Sequence, residues 1–500
     1  NSISADPLFV STTGATPDLH VSAGTPIEGV GINIASVTND FDGDVRASST
    51  PVDLGADAGN FMSYPVINFT PLANTCATTS RTLVATITDV DGVPTSGSGL
   101  PVLYWKIGSG SYTAVTATSL GSDQYEFSFG SGVAVGDVIS YYLAAQDNLG
   151  NVGTAPSLGA TGFTANPPAA STVPSSPASY TIQNTLSGTY TVGAAGNYPT
   201  LTAAVTAYNN SCLGGPVTFE LIDATYSTSE TFPITINANS TASTTNTLTI
   251  KPATGVTASI SGSAATYLIR VLGSHVFING SNNGSTSRDL TITNTSATTP
   301  GVLLIGSTGT TPIVNVAARN TIMVNGVNTN TAVLMSDVSG AAGYFNNITL
   351  QNNSVTKAYI GFYALATVAA GNGSGLNISN NDLSTSGANS IRLAGIYAQG
   401  VDGATIQNNL VGNIANTADA SNLTGIWLAT GTVNTAVTNN TIGPISGTSA
   451  GPRGIVVTSG VANAAISISG NTVTGLSTTS TGTATGIALS GATAGVDISG

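Results

Sequence analysis

Short runs in which apolar residues alternate with Thr, Ser and Asn recur along the chain from about residue 346 onward. Each run leads into a pair of residues whose second member is asparagine, and these asparagines are 28, 28, 31 and 31 residues apart. A repeat of about 30 residues predicts a solenoid, because a single coil cannot bury its apolar face without neighbours. The pairs are Asn352-Asn353, Asn380-Asn381, Asn408-Asn409, Asn439-Asn440 and Gly470-Asn471.

A second repeat lies between these pairs and consists of a glycine followed by a bulky apolar residue. The two repeats together predict two short strands in each coil, each with one face turned inward. Asparagine suits the end of a strand because it tolerates the left-handed backbone conformation. In stacked coils we expect the asparagine side chains to form a ladder of amide hydrogen bonds. The glycine pairs are Gly361-Phe362, Gly395-Ile396, Gly425-Ile426, Gly454-Ile455 and Gly486-Ile487.

Over residues 188–500 the pattern resembles the right-handed parallel β-helix repeats of secreted bacterial proteins. The resemblance implies a β-helix domain that continues beyond residue 500, and we expect the chain to be a fragment of a longer polypeptide. Residues 199–208 predict a short helix with one apolar face. Such a helix would cover the open end of the β-helix and protect its edge. The apolar positions are Leu201, Ala204, Val205 and Tyr208.

Residues 1–64 contain four acidic motifs, at 6–9, 18–21, 39–46 and 53–57. They resemble the closing turns of secreted bacterial β-helix proteins, which implies that a preceding β-helix ends in this segment. The match has departures, which are Val21 in place of Leu, Thr25-Pro26 in place of Ser-Pro, and Ala58 after the last acidic position.

Asp40, Asp42 and Asp44 alternate in the way that oxygen ligands do in calcium loops, although the bidentate Glu of an EF-hand is missing. The alternative is a turn whose carboxylates cap backbone N–H groups and pair with Arg46. The sequence leaves both interpretations open, so calcium is the one ion we consider and no other cofactor is predicted.

Residues 65–165 have a different pattern, in which four runs of alternating apolar and polar residues are separated by Gly, Ser and Asp turns. This pattern predicts an all-β sandwich. The end of this segment resembles bacterial Ig-like or fibronectin-type modules. Asp89, Asp91 and Asp147 are a second candidate calcium set at one end of the sandwich, with turn chemistry as the alternative. Trp105 is expected in the core, with a sugar-stacking platform as the weaker hypothesis. Residues 166–187 are rich in proline and predict an extended linker.

The low charge content and the acidic net charge limit the classes of partner that the chain is expected to bind. Only 7% of residues are charged, against about 25% in an ordinary domain, and the net charge is −13. Nucleic acid and anionic membranes are therefore not expected as partners, and no apolar run is long enough for membrane insertion. Cys76 and Cys212 lack metal-site spacing, which leaves two isolated thiols or an inter-domain disulfide in an oxidising exterior.

Catalysis is not predicted. The acids and bases beyond residue 188 are scattered, Arg288 and Asp289 are adjacent and so point to opposite faces of a strand, and His275 is expected to be structural. No Ser-His-Asp set, P-loop or His-x-x-x-His motif is present, so we propose no catalytic residue.

Three features occur together along the chain: the acidic closing motif, the Tyr141-Tyr142 module that ends at Asn151, and the segment from Gly188 to Leu201. Together they resemble giant cell-surface adhesins of gliding Bacteroidota-type bacteria, which are exported by the type 9 secretion system. The resemblance implies an extracellular, surface-attached protein that works with that secretion and outer-membrane attachment machinery, and a link to gliding motility.

We therefore predict a rod-like structural and adhesive element that binds polysaccharide or abiotic surfaces. The alternatives are a polysaccharide lyase or hydrolase on the same fold, and a passive spacer or secretion cargo that presents a binding domain elsewhere. The surface expected to vary between coils comprises the loops 369–374, 415–421, 447–451 and 477–483.

Overall fold

The computed structural model of the protein describes most of the chain, and the described residues form two compact units, Asn1–Asn184 and Thr185–Gly500. Nearly all of the regular structure is β. The described residues are 4–14, 16–22, 25–46, 52–57, 63–416, 422–447, 451–479, 481–491 and 493–500.

The second unit is a parallel β-helix, as the repeat predicts. Its strands form sheets of 11, 9, 9 and 3 strands, which we number sheets 1 to 4. Neighbours within a sheet come from successive coils, and their register shows parallel pairing, as in Leu350 opposite Ile378 and Ile378 opposite Ile406. Successive coils therefore stack directly on one another.

The strands of the four sheets follow in stacking order. Sheet 1 contains Asn184–Val192, Ser211–Leu221, Leu248–Pro252, Val276–Asn279, Ile313–Arg319, Phe345–Gln351, Asn377–Ser379, Thr405–Gln407, Ala436–Thr438, Ile466–Ser469 and Val496–Ser499. Sheet 2 contains Thr225–Tyr226, Ala258–Gly262, Leu290–Asn294, Thr321–Val324, Ser354–Thr356, Asp382–Leu383, Leu410–Val411, Thr441–Ile442 and Thr472–Val473. Sheet 3 contains Ile234–Ile236, Tyr267–Val271, Gly301–Ser307, Val333–Asp337, Ile360–Leu365, Ala394–Gln399, Thr424–Leu428, Arg453–Val457 and Thr485–Leu489, and sheet 4 contains Ile414–Asn416, Ile445–Gly447 and Leu476–Thr478.

Each regular coil thus has three strands, or four where sheet 4 is present, whereas the sequence predicts two. The strands of sheet 1 and sheet 3 correspond to the two predicted runs, whereas sheet 2 begins just after the asparagine pairs. Some strands of sheet 2, such as Asp382–Leu383 and Leu410–Val411, are only two residues long. Such strands are too short for an alternating pattern to reveal them.

One continuous apolar core runs through the coils. In sheet 1 the inward column contains Leu350, Ile378, Ile406 and Val437, all 0% exposed. Burial of an aliphatic side chain of this size contributes about 1.5–3 kcal/mol relative to leaving it in water. Because every coil contributes several such residues, the apolar stack is the main source of stability of this unit.

The predicted helix is present as Leu201–Asn209 and buries the four apolar residues named for it in the sequence. Thr200 caps its start, since its hydroxyl accepts from the Ala203 N–H at 3.0 Å. The first two N–H groups of the helix, those of Leu201 and Thr202, donate to the Glu230 carboxylate, each at 2.7 Å. The helix packs on strands of the first coil, and its role as a cap stays a prediction.

The first unit contains small antiparallel sheets. Two of them, with four and five strands, share one buried cluster, which is the arrangement that a sandwich requires. The assignment to an Ig-like module stays a prediction. The strands of this unit are Phe9–Ser11, Asp18–Val21, Val66–Phe69, Arg81–Thr88, Val102–Ile107, Thr113–Thr116, Thr118–Gly121, Gln124–Phe129, Val138–Gln146, Val152–Ala155, Thr161–Thr164, Ala169–Thr172 and Ala178–Thr181.

Residues 166–187, predicted as an extended linker, instead contain regular structure. Ala169–Thr172 pairs with Thr161–Thr164. Ala178–Thr181 pairs with Val138–Gln146, and it places Tyr180 in the core at 1% exposure. Proline content alone misleads here, because an edge strand tolerates neighbouring prolines when its other residues face a core.

Candidate functional site

The second asparagines of the pairs form a continuous ladder at the corner between sheet 1 and sheet 2. Nδ2 of each donates to Oδ1 of the asparagine in the next coil, at 3.1, 2.9, 2.9 and 2.9 Å along the series. The backbone N–H of each donates to the same oxygen, at 2.9, 3.0, 3.0 and 2.9 Å. The predicted amide ladder is therefore confirmed, and its members are Asn353, Asn381, Asn409, Asn440 and Asn471.

The ladder is buried and its amides are well satisfied. Asn353, Asn381, Asn409 and Asn440 are at most 1% exposed. The second N–H of each amide donates to a backbone carbonyl of the preceding coil, as from Asn409 to Ile378 at 2.9 Å. A buried amide is stabilising only when its donors and acceptor are paired, and this arrangement pairs them coil after coil.

The first residue of each pair makes the turn. Asn352, Asn380, Asn408 and Asn439 have φ of 52, 58, 55 and 55°, and Gly470 has φ of 62° at the same position. Asparagine and glycine are the residues that adopt this left-handed conformation most readily. The two members of a pair therefore have different roles, one in the turn and one in the ladder.

The ladder begins one coil earlier than the sequence indicates. Oδ1 of Asn353 accepts from the Thr321 N–H at 3.1 Å and from the Thr321 hydroxyl at 2.7 Å. Thr321 follows Asn320, whose φ is 57°. The pair Asn320-Thr321 is therefore the first member of the series. Because threonine occupies the position that asparagine holds in the later coils, the pattern of paired asparagines does not include it.

The repeated glycines leave room for aliphatic side chains of sheet 2. A Cβ on Gly425 would lie 2.4 Å from Ile442 Cγ2 and 2.7 Å from the carbonyl oxygen of Gly454. A Cβ on Gly395 would lie 2.2 Å from Val411 Cγ1. Distances this short exclude any side chain, which explains why glycine recurs once per coil.

An outward column of aromatic residues crosses three coils of sheet 3, and it was not among the features predicted from the sequence. Tyr363, Tyr397 and Trp427 are in register with one another and half-buried. Their ring centroids are 4.7 and 4.8 Å apart, with interplanar angles of 76° and 56°. We call these three residues the aromatic stripe. Each follows a repeated glycine by two positions, and this spacing could have revealed them.

The first candidate calcium set is only partly brought together. Asp40 and Asp42 converge with Asp57, and Asp44 is not a member of that group. Oδ1 of Asp40 accepts from the backbone N–H groups of Asp42 and Asp44 at 3.0 and 2.7 Å. The turn interpretation thus describes the local hydrogen bonding.

Two other residues of this segment were named in the sequence, Arg46 and Ala58. Nη2 of Arg46 donates to the carbonyl oxygen of Asp53 at 2.7 Å, which places the guanidinium against the 53–57 motif. Ala58 lies outside the described residues.

His20 bridges two of the acids in this segment. Its Nδ1 contacts the Asp18 carboxylate, and its Nε2 is 3.0 Å from Asp42 Oδ2. The hydrogen bond to Asp18 is the main cause that raises the pKa of His20, and the same contact lowers the pKa of Asp18. A positive imidazolium here offsets part of the local acidic excess.

The second candidate calcium set does converge. Ligand atoms of Asp89, Asp91 and Asp147 lie within 4.8 Å of one another, and Asp147 is 0% exposed. The Asp147 carboxylate accepts from the N–H groups of Leu149 and Asn151, both at 2.8 Å. Carboxylates in this arrangement could hold Ca²⁺, and the hydrogen bonds also fit a turn, so calcium stays a prediction at this site.

The two cysteines and Trp105 have structural roles. Cys76 and Cys212 are both disulfide-bonded, so the interpretation as isolated thiols is wrong. Disulfides persist in oxidising compartments, which is consistent with an extracellular protein. Trp105 is half-buried and packs against the buried cluster of the first unit, with its ring 6.1 Å from that of Phe129, so it lies at the border of the core in which it was expected.

Charged groups of the second unit show little convergence. Glu220 and Lys251 form an ion pair at 3.1 Å, and they lie side by side in adjacent strands of sheet 1. In the described part of this unit, no group of three Asp, Glu, His or Cys side chains comes together. The Asn315 amide lies 2.9 Å from His275 Nδ1, and burial lowers the pKa of that histidine.

The loops predicted to vary between coils are described only in part. Residues 369–374 form a compact turn in which the Gly371 N–H donates to Asp402 Oδ2 at 2.7 Å, and Asn372 is 5% exposed. The loops 415–421, 447–451 and 477–483 each extend outside the described residues.

No protein-family model matches the chain, and no curated protein matches it. No helix in the described ranges is long and apolar enough to cross a membrane.

Proposed function

We propose that this chain is a structural and adhesive element of a large secreted cell-surface protein, in which stacked coils provide length and an uncharged surface holds polysaccharide. The observation that carries the proposal is the unbroken stack of the second unit, with a buried amide ladder and a single apolar core. Eleven strands of sheet 1 correspond to a stack roughly 50 Å long at one strand spacing per coil.

The surface chemistry of the chain favours weak, repeated contacts. Only 7% of the residues are charged, and sheet 1 presents small polar residues at outward positions, such as Thr349, Thr405 and Ser467. Hydroxyl and amide groups bind sugar hydroxyls individually weakly, and a long row of them gains strength through multivalency. Adhesion distributed along coils would not depend on one residue.

The finer identity rests on the sequence motifs. The acidic closing motif and the module that follows it support membership among giant type 9-secreted adhesins, with attachment to polysaccharide or abiotic surfaces and a part in gliding motility. The disulfide-bonded cysteines support an oxidising, extracellular location.

A polysaccharide lyase or hydrolase would also fit this fold, and a passive spacer would fit its length. The hydrolase requires two carboxyl groups placed across a sugar bond. The adhesin is preferred because the acids and bases of the second unit are scattered singly along the sequence, whereas a catalytic groove requires a cluster of them.

Beads coated with the 500-residue chain test this proposal. We expect them to resist detachment by flow from surfaces coated with neutral polysaccharide, to be released by the same polysaccharide in solution, and to generate no reducing ends or unsaturated uronate. Sustained product release would establish the enzyme instead. Detachment equal to that of albumin-coated beads on every surface would favour the spacer.

A further inference from the structure

The aromatic stripe has the shape and register of a binding track. Tyr363, Tyr397 and Trp427 occupy the same outward position in three successive coils, and their centroids are 4.7 and 4.8 Å apart. All three side chains are half-buried, so each keeps part of its ring in solvent. The inclined rings interlock, and the result is a continuous apolar ridge along the axis of stacking.

Polar groups border the ridge. The Tyr363 hydroxyl lies 3.5 Å from Gln399 Oε1, and Trp427 Nε1 donates to the Thr458 hydroxyl at 2.8 Å. Tyrosine hydroxyls, an amide and a threonine hydroxyl supply both donors and acceptors. An apolar track with a few fixed polar groups at its border is the usual composition of a site for a ligand that is apolar on its faces and polar at its edge.

The charge at the stripe selects among such ligands. The strands Ile360–Leu365, Ala394–Gln399 and Thr424–Leu428 contain no Asp, Glu, Lys or Arg. These strands therefore offer neither a cation to pair with an acidic polymer nor an anion to pair with a basic one. The complementary ligand is therefore uncharged.

The chemistry and the spacing together identify the ligand class. A pyranose ring presents C–H groups on its faces and hydroxyls around its rim, which matches an aromatic surface bordered by hydroxyl and amide groups. In an extended glycan, one sugar unit is about as long as one coil repeat, roughly 4.8 Å. Such a chain could place successive units over successive aromatic residues.

We propose that the aromatic stripe binds an extended, uncharged polysaccharide that lies along the stacking axis. This inference rests on the proposed adhesive function and deepens it by assigning a site and a ligand class. The stripe supplies the strongest contact, and the surrounding Thr, Ser and Asn surface adds weaker ones.

Fluorescence gives a direct test, because the chain contains two tryptophans. In a Trp105→Phe variant, Trp427 is the sole tryptophan, so its emission reports on the stripe alone. Titration with cellohexaose, an extended uncharged probe, is expected to shift that emission to shorter wavelength and to saturate. An oligogalacturonate of the same length should leave the emission unchanged.

Substitutions in the full chain complete the test. Tyr397→Leu keeps an apolar side chain but removes the ring, and we expect it to weaken cellohexaose binding by about fivefold to tenfold. Gln399→Ala, which leaves the rings in place, should weaken binding by a smaller factor. Phe277→Leu removes a half-buried outward aromatic residue from sheet 1 and is the matched control, with unchanged binding.

The outcomes separate the inference from the proposed function. If neutral polysaccharide retains the chain but Tyr397→Leu and Gln399→Ala bind cellohexaose as the unsubstituted chain does, the stripe is not the site, and the rings serve only to stabilise the sheet. If no neutral polysaccharide is bound by the unsubstituted chain, the inference is wrong, and the adhesive function is wrong as well if the coated beads detach from every surface as albumin-coated beads do. Circular dichroism of each variant establishes that it is folded.

Discussion

Replacement of Asn409 tests the role of the amide ladder most sharply. Its side chain makes four hydrogen bonds: Oδ1 accepts from the N–H and Nδ2 of Asn381 at 3.0 and 2.9 Å, and Nδ2 donates to Ile378 O and Asn440 Oδ1, both at 2.9 Å. Asn409→Ala removes all four within a site that is 1% exposed. The coils on both sides then lose the side-chain hydrogen bonds that Asn409 makes at this corner.

The cost follows from the groups left unpaired. The Asn381 N–H, one N–H of its amide and the carbonyl of Ile378 lose their partner, whereas Asn440 Oδ1 keeps the Asn409 backbone N–H at 3.0 Å. A buried polar group without a partner costs about 1–3 kcal/mol. With partial relaxation of the coils, we expect Asn409→Ala to lower the free energy of unfolding by about 3–6 kcal/mol. Asn409→Asp should cost at least as much, because it turns two donor contacts into repulsive ones.

The matched control is the neighbouring turn residue. Asn408→Gly keeps the left-handed conformation, as Gly470 does in a later coil, so it should change stability by only a few tenths of a kcal/mol. Urea denaturation followed by circular dichroism measures these differences, and hydrogen exchange of the peptide 376–411 locates them. Equal denaturation midpoints for Asn409→Ala and Asn408→Gly would refute the assignment of a stabilising role to the ladder.

Three further predictions concern other parts of the chain. Gly425→Ala should destabilise the second unit by about 1–3 kcal/mol in urea denaturation, because the new Cβ would meet Ile442 Cγ2 at 2.4 Å. In an NMR titration, His20 should lose its proton above the ordinary histidine pKa and His275 below it, since a carboxylate contact raises the first pKa and burial lowers the second. If calcium binds the Asp147 cluster, a chelator should lower the melting temperature of the first unit.

Each of these predictions has an internal control. Gly486→Ala adds a Cβ at an equivalent repeat position where no atom of the described residues lies within 4 Å, so it should be neutral. An equal loss in both glycine variants would contradict the packing argument. Asp18→Asn should move the titration of His20 toward the ordinary value and leave His275 alone. Asp147→Asn should abolish the effect of the chelator, and a melting temperature indifferent to chelator in the unsubstituted protein would count against calcium.

The sign of the His20 contribution follows from the direction of its shift. Because the folded-state pKa is raised, the contact with Asp18 stabilises the folded protein fully below the unfolded pKa of histidine. That contribution is lost as the pH rises through the folded pKa. Because both groups are exposed, we expect the contact to be visible in the titration curve of His20 and to change the free energy of unfolding very little.

The repeat architecture could be predicted because its signals are local and recur. Asparagine at a fixed position must both turn the chain and pair with its equivalent in the next coil, so the spacing of the pairs indicates the stack directly. The same holds for the helix Leu201–Asn209, whose apolar face has ordinary helical periodicity.

Other features were missed because they depend on contacts between distant residues. The short strands of sheet 2 are hydrogen-bonded only to other coils, and no pattern within two residues identifies them. Asp57 approaches Asp40 and Asp42 across a separate motif, whereas the sequence suggested Asp44 by its spacing. Tyr180 lies beyond a proline-rich stretch, yet it completes the core of the first unit.

The aromatic stripe was not predicted from the sequence because its residues are far apart and irregularly spaced. Its residues are separated by 34 and 30 positions, and the loops between coils vary, so the column becomes visible only when the coils are aligned by their glycines. Sequence identified the composition of the surface, which is neutral and polar, and the structure shows where aromatic rings gather on it.

Affinity electrophoresis of the intact chain tests the central claim most directly, which is that stacked coils hold uncharged polysaccharide without cleaving it. The chain is run through native gels that contain either a soluble neutral β-glucan or polygalacturonate, and the gel is then assayed for new reducing ends and unsaturated uronate. We predict retardation that increases with the β-glucan concentration, unchanged mobility in polygalacturonate, and no product in either gel. Unchanged mobility in β-glucan, or product that accumulates along the path of the protein, would contradict the account.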